Sequence, residues 1–396
     1  MKNILLISVL ILASTGNSFS QDYLGLSSGN YGGIQSVMLQ PANVADSRYQ
    51  FEVNLVSTSL SFHNNYVGLS RSFFTQNFFS FKGYDNFSDF KAKELRKDDY
   101  LRENVFVKAN NRINFPSLLL TTGKNSGIAL NIQSRTGISI ENLNPLLAEQ
   151  AYDEWGNASL YGQNYITDGL DINGLNWIEI GFTYGKVLLN NERHFLKAGV
   201  TAKYLGGVSS FYFNSDDLNV RADNDSMLYI QSPEIRYGHS ATNISAGINS
   251  SFRPDASAFG FDMGLVYEFR GQIENFKFLK YDSDYNLKVA KRRDRNKYTF
   301  KVGVSLLDVG KFNFQSTPEA RNFSINDQIN LNTINTKNLK DLDAVIADHG
   351  TYTSGAKEFS VALPTAFSAQ VDVHLYRGFY INGMMYKPVK AFNNNC

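Results

Sequence analysis

The side chains that could do chemistry are few and badly spaced for it. Ser368, Asp372 and His374 share one face of a strand read at 365–376. Ser368 and Asp372 are four residues apart, about 13 Å at strand rise. A nucleophile and its partners need hydrogen-bond contact, so this set fails on geometry. The five histidines, His63, His194, His239, His349 and His374, show no metal-ligand spacing, and the single cysteine is Cys396. Neither a metal centre nor a disulfide framework follows. No phosphate loop, nucleophile elbow or paired-carboxylate motif stands in the chain. The sequence thus predicts no catalytic residue, no cofactor and no enzyme. With 38 Lys and Arg against 37 Asp and Glu, it also lacks the basic excess of a nucleic-acid binder.

The polar residues make a different pattern, in which they alternate with greasy ones. In 127–140, Ile128, Leu130, Ile132, Ile138 and Ile140 oppose Asn131, Gln133, Arg135 and Ser139. In 258–271, Phe259, Phe261, Met263, Leu265, Tyr267 and Phe269 oppose Asp262, Gly264, Glu268 and Arg270. Segments 297–307 and 365–376 repeat the pattern. A period of two puts the two sets on opposite faces of a strand, and strands of about ten residues are long enough to cross a bilayer at a tilt. A soluble sandwich would also alternate, with its apolar face inward. Strand length and loop pattern favour an all-β, antiparallel transmembrane β-barrel, apolar side to lipid and polar side to the lumen. The predicted lumen-facing residues are Arg135, Glu179, Lys197, Lys203, Asp262, Glu268, Arg270, Lys301, Asp372 and His374. Their mixed signs predict internal ion pairs in a narrow lumen rather than a selectivity ring.

Further strands are read at 50–62, 112–122, 174–188, 194–207, 241–253, 311–316 and 378–389, giving eleven. Short turns at 123–126, 189–193, 254–257, 308–310 and around Arg377 then alternate with long connections at 63–111, 141–173, 208–240, 272–296 and 317–358. This is the short-periplasmic, long-extracellular pattern of outer-membrane barrels. Helical character is read at 85–104, 144–155 and 336–347, with Pro145 suited to a first helical position. Because such barrels have even strand counts, eleven strands predict a chain missing one to three strands of a barrel of about 12–14. A strand overlooked in 21–49 or 63–111 is the other explanation.

Residues 1–20 read as a signal peptide: Lys2, an apolar stretch from Ile4 to Ala13, and a Ser18-Phe19-Ser20 cleavage site. The apolar run is too short to span a membrane. The domain reading is therefore a leader at 1–20, a periplasmic or plug segment at 21–49 and a barrel from 50 to 396, placed in the cell outer membrane.

The segment Gln40-Pro41-Ala42-Asn43-Val44-Ala45-Asp46, after Gly32-Gly33-Ile34-Gln35-Ser36, resembles the entry motif before the first strand of FadL-like and PorV-like barrels of Bacteroidota. Gln40 stands where that motif has Asn. Ser305 to Phe312 resembles a turn recurring in the same group, and Ile178–Phe182 and Leu363–Phe367 add to the likeness. From about residue 25 onward the chain resembles a Bacteroidota outer-membrane family of unknown function. The resemblance implies a barrel contacting outer-membrane lipid. It leaves two roles: a scaffold or accessory subunit binding envelope protein partners, or a FadL-like transporter of a small hydrophobic ligand.

Overall fold

The structure, a computed structural model, describes residues 24–73, 84, 87–98, 103–240, 254–281, 287–291, 295–333, 339–376, 378–389 and 394–395. The leader read at 1–20 and the strand read at 241–253 lie outside the described residues.

Alternating sequence becomes one antiparallel meander. Strands β1 (Phe51–Asn54) and β2 (Ser57–Asn64) make the first traverse. A side ribbon of β3 (Val67–Leu69) and β4 (Leu95–Lys97) follows, with the helix Phe87–Glu94 between its strands. β5 (Val105–Asn114) and β6 (Ser117–Thr121) return, β7 (Ser126–Leu143) rises, β8 (Asn164–Asn190) descends and β9 (His194–Ala222) rises. β10 (Met227–His239) and β11 (Ala256–Phe269) share the next descent. A ribbon of β12 (Lys277–Tyr281) and β13 (Leu287–Lys291) precedes β14 (Phe300–Asn330). β15 (Gly350–Ala362) and β16 (Ala366–Tyr376) descend, and β17 (Phe379–Pro388) with β18 (Asn394–Asn395) rises last. Counting β1–β2, β5–β6, β7, β8, β9, β10–β11, β14, β15–β16 and β17–β18 gives nine traverses among the described residues, each hydrogen-bonded to its sequence neighbour.

The sheet is rolled into a barrel. β7 and β14 are four traverses apart, which a flat sheet would hold about 19 Å apart at ~4.8 Å per strand. Yet Arg135 on β7 and Asp308 on β14 meet at 2.8 Å, across the interior. The outer face is apolar and exposed: Leu130, Phe182, Val200, Phe261, Met263 and Val371 lie on it, and Phe259 is 80% exposed. No helix among the described residues is long and apolar enough to cross a membrane.

The interior changes character with height. Near the turns that join β6 to β7 and β8 to β9 it is polar. Above this level Trp177, Leu205, Tyr212, Phe312, Phe314 and Phe359 pack into a dry cluster, with Phe312–Phe314 and Phe314–Phe359 ring centroids 5.5 and 5.7 Å apart. Higher still, β8, β9, β10 and β14 enclose a second core that includes Tyr165, Leu218, Ile235 and Ile325, roofed by Leu147 of the helix Pro145–Tyr152 and Ile346 of the helix Leu339–His349.

Several sequence expectations are corrected. Residues 308–310 are not a turn: the strand read at 297–307, from Phe300 onward, and the one read at 311–316 belong to the one strand β14, and Asp308 (φ 56°) marks an irregularity where the register with β11 slips. Residues 254–257 are not a turn either. Asp255 N–H donates to Gly207 O, and β11 begins at Ala256 alongside β9. The stretches read as long loops at 208–240 and 317–358 are mainly β9, β10, β14 and β15, extended above the barrel. The connection at 272–296 leaves from Phe269, opposite His194, so it lies at the short-turn end and the strict short–long alternation does not hold. The three helices read in the connections are present, in shorter form, as Phe87–Glu94, Pro145–Tyr152 and Leu339–His349.

Candidate functional site

The site is the polar interior between the short-turn end and the dry cluster. Its floor is the N-terminal segment. Gly33–Leu39 forms a helix and Pro41–Val44 a 3-10 turn, where the fixed φ of Pro41 suits the first position. This turn lies across the inner face of the sheet on a row of glycines paired in register through four strands: Gly127 with Gly185, Gly185 with Gly199, and Gly199 with Gly264. A Cβ at Gly127 or Gly185 would strike Val44, one at Gly199 would strike Pro41, and one at Gly264 would strike the Gln40 amide. The row is thus a groove cut to the shape of the segment.

Side chains complete the seat. The Gln40 amide donates to Val304 O at 2.9 Å and to Leu265 O at 3.3 Å. Ser305 Oγ donates to Leu39 O at 2.8 Å and Lys197 Nζ to Ala45 O at 3.0 Å. On the first traverse, Ile34 N–H donates to Glu52 and the Gln35 amide to Ser57. Lys301 Nζ donates to Asn30 Oδ1 at 3.0 Å, and Tyr298 OH donates to Asp372 at 2.7 Å. Asp46 closes the segment among Arg48 (3.7 Å), Arg270 (3.4 Å) and Lys297 (3.9 Å). Burial alone would raise the Asp46 carboxyl, but Lys297, Arg48, Lys197 and Arg270 outweigh it and hold the group below the ordinary carboxylate range. Burial pushes the Lys297 ammonium down to about 8 despite Asp46.

Above the floor is a hub of five charges from five strands. Asp308 takes Arg135 at 2.8 Å and Lys203 at 2.7 Å. Lys203 also meets Asp262 at 2.8 Å, and Arg135 meets Glu179 at 3.4 Å. Asp262 accepts the Asp308 backbone N–H at 2.7 Å. The Arg135 guanidinium lies over the Trp177 ring, 4.7 Å from its centroid. Beside the hub a cavity of about 620 Å³ runs from Ile34 and Met38 of the floor to Asn104 and Asn142 at the far ends of β5 and β7.

Of the residues singled out from alternation, Arg135, Glu179, Lys203 and Asp262 meet in the hub. Glu268 and Arg270 pair at 2.6 Å, and with Lys197 they face the inserted segment. Lys301 and Asp372 lie 3.7 Å apart by Asn30. All nine are buried. His374 stands apart: it is half-buried, its ring tilted against that of Tyr380 with centroids 4.8 Å apart. Ser368 is buried. Among the described residues, no group of three His, Cys, Asp or Glu side chains could hold a metal ion. Sequence reasoning misses Asp308, because Asp308-Val309-Gly310 reads as a turn. It also misses the glycine row, whose one-per-strand recurrence is visible only once the register is known.

Fold and site define a class: an antiparallel β-barrel with an apolar outer face, a charge-paired interior and an N-terminal segment seated inside it. The chain belongs to the family of unknown function DUF5723, which matches residues 41–394. No curated protein matches. Among solved structures, the RagAB peptide importer in the "closed-closed" state is similar at 7% identity and a TM-score of 0.11, covering 73% of this chain. This chain spans 37% of the length of that one.

Proposed function

We propose that this protein is an outer-membrane barrel whose floor is closed by its own N-terminal segment and whose projecting sheet is a scaffold for an envelope protein partner. The observation that carries this reading is strand length. β8, β9 and β14 run 27, 29 and 31 residues, where a tilted strand needs about 9–11 to cross a bilayer. The surplus is a rigid head with its own core and two docked helices. Binding function concentrates on surfaces held by such scaffolds. The outer-membrane setting and the kinship with FadL-like and PorV-like barrels of Bacteroidota belong to this reading. They are supported by the apolar outer face and by the Gln40–Asp46 motif, which is the part seated on the glycine row.

Tagged full-length protein drawn from native membranes in mild detergent should bring a stoichiometric partner. Replacing Leu339–His349 with a short Gly-Ser linker should release it, and interior substitutions should not. A solitary barrel in every case would end this reading. A second reading, transport, is favoured by the interior cavity. Its amides, hydroxyls and charges suit a polar solute and not the hydrophobic compound expected by analogy.

A further inference from the structure

We infer that the interior cavity is a binding site for a neutral, polyhydroxylated ligand, an oligosaccharide of two or three units. The inference is independent of whether the head binds a partner. The volume, about 620 Å³, falls in the range of roughly 300–1,000 Å³ typical of small-molecule sites.

The lining decides the chemistry. Five cations and four carboxylates face the cavity, so its net charge is near zero. Most of those charges are committed to each other: Lys108 to Glu141 at 2.8 Å, and Arg135 and Lys203 to Glu179, Asp262 and Asp308. A ligand charged where it meets these seven groups would have to break their pairs. An apolar ligand would leave amides and hydroxyls desolvated without partners. The remaining polar lining is His63 and a majority of Asn and Gln amides with Ser and Thr hydroxyls, among them Asn110, Asn131, Gln133 and Thr183, with Trp177 and Tyr386 as aromatic walls.

One buried atom points the same way. Gln133 lines the cavity and is 3% exposed, and its Oε1 has no hydrogen-bond partner. It is an acceptor, and buried acceptors without donors are rare in folded proteins. Sugar hydroxyls donate without carrying charge. They also accept from amide N–H groups, so one ligand class serves both atoms of each amide.

The chain has two tryptophans, of which Trp177 lines the cavity and Trp155 packs against the upper core. In the Trp155→Phe variant, tryptophan emission therefore reports on the cavity alone. Full-length Trp155→Phe protein, held in an amine-oxide detergent because maltoside detergents are themselves sugars, is titrated with maltotriose, raffinose and diacetylchitobiose. Trigalacturonate and trialanine are the charged controls. A saturable emission change with at least one neutral sugar is expected, weakened tenfold or more in Gln133→Leu. The neutral sugar should also raise the thermal midpoint of wild-type protein by mass action and leave that of Gln133→Leu unmoved, so binding is read even if one optical signal is small. A response to trigalacturonate or trialanine alone, no saturable response to any sugar, or equal sugar binding by Gln133→Leu would overturn the assignment.

Discussion

Asp308 holds the interior together from an uncomfortable position. Its φ of 56° is in the left-handed region, which a non-glycine residue occupies only when its surroundings compensate. Here the compensation is two cations within 2.8 Å and an Asp262 carboxylate on its N–H. Removing Asp308 takes from Arg135 and Lys203 their shortest carboxylate contacts, but Glu179 still meets Arg135 and Asp262 still meets Lys203, so no charge is left uncompensated and the cost is that of lost charged hydrogen bonds, about 1–3 kcal/mol. Asp308→Ala should lose about that much, read as an earlier thermal midpoint and earlier loss of the compact band on unheated gels. Asp308→Gly should fare somewhat better than Asp308→Ala, because it loses the same contacts but removes the backbone strain. Alternation alone found four of the five hub residues, since Arg135, Glu179, Lys203 and Asp262 sit on uninterrupted stretches of polar face. It lost Asp308 because the irregularity there exchanges the faces of β14: Ser305 faces in below it, and Phe312 and Phe314 face in above. An Asp followed two residues later by Gly reads as a turn in any sequence.

At the scale of elements, the helices were readable because their ends are signalled locally. The helix Pro145–Tyr152 starts with Pro at its first position, and the Asn144 side chain accepts from the Leu146 and Leu147 N–H groups. Asn144→Ala should cost about 1 kcal/mol, measurable as faster hydrogen exchange at Leu146 and Leu147. The helix Leu339–His349 is tied to the sheet by Asp343, which accepts from Tyr237 OH at 3.1 Å and contacts His239 Nε2 at 3.1 Å. Burial and the Asp343 carboxylate raise the Tyr237 phenol above its usual value. Asp343→Ala should free the helix to protease while the barrel below stays intact. The upper reaches of β9, β14 and β15 were not readable as strands. They carry polar and charged residues on their outer side, as any sheet in water does, and the same composition describes a loop.

For the whole molecule, the seat of the N-terminal segment bears on the proposed membrane role and on the response to pH. In planar bilayers the full chain should show no steady conductance, and deletion of residues 24–46 should produce it, because the segment forms the cavity's floor. Steady current from the intact protein would show that the floor leaks. The Asp46 carboxyl binds its proton more weakly in the fold than in the unfolded chain. Such a group adds stability above the unfolded pKa of about 4 and loses it as pH falls through the lower folded value. The segment should therefore be protease-resistant at neutral pH and become cleavable in acid. Asp46→Asn should be more cleavable than wild type at pH 7 and indistinguishable from it once Asp46 is protonated.

The register-paired glycines have a consequence for assembly. Gly127, Gly185, Gly199 and Gly264 belong to four different strands, and the groove they form exists only when all four are aligned. A slip of one residue in any pairing would turn that strand's side chains to the other face and put a bulky group where Pro41 or Val44 must lie. A segment that precedes the strands in the chain thus settles after them. By fitting only a sheet in correct register, it acts as the molecule's own proofreading step.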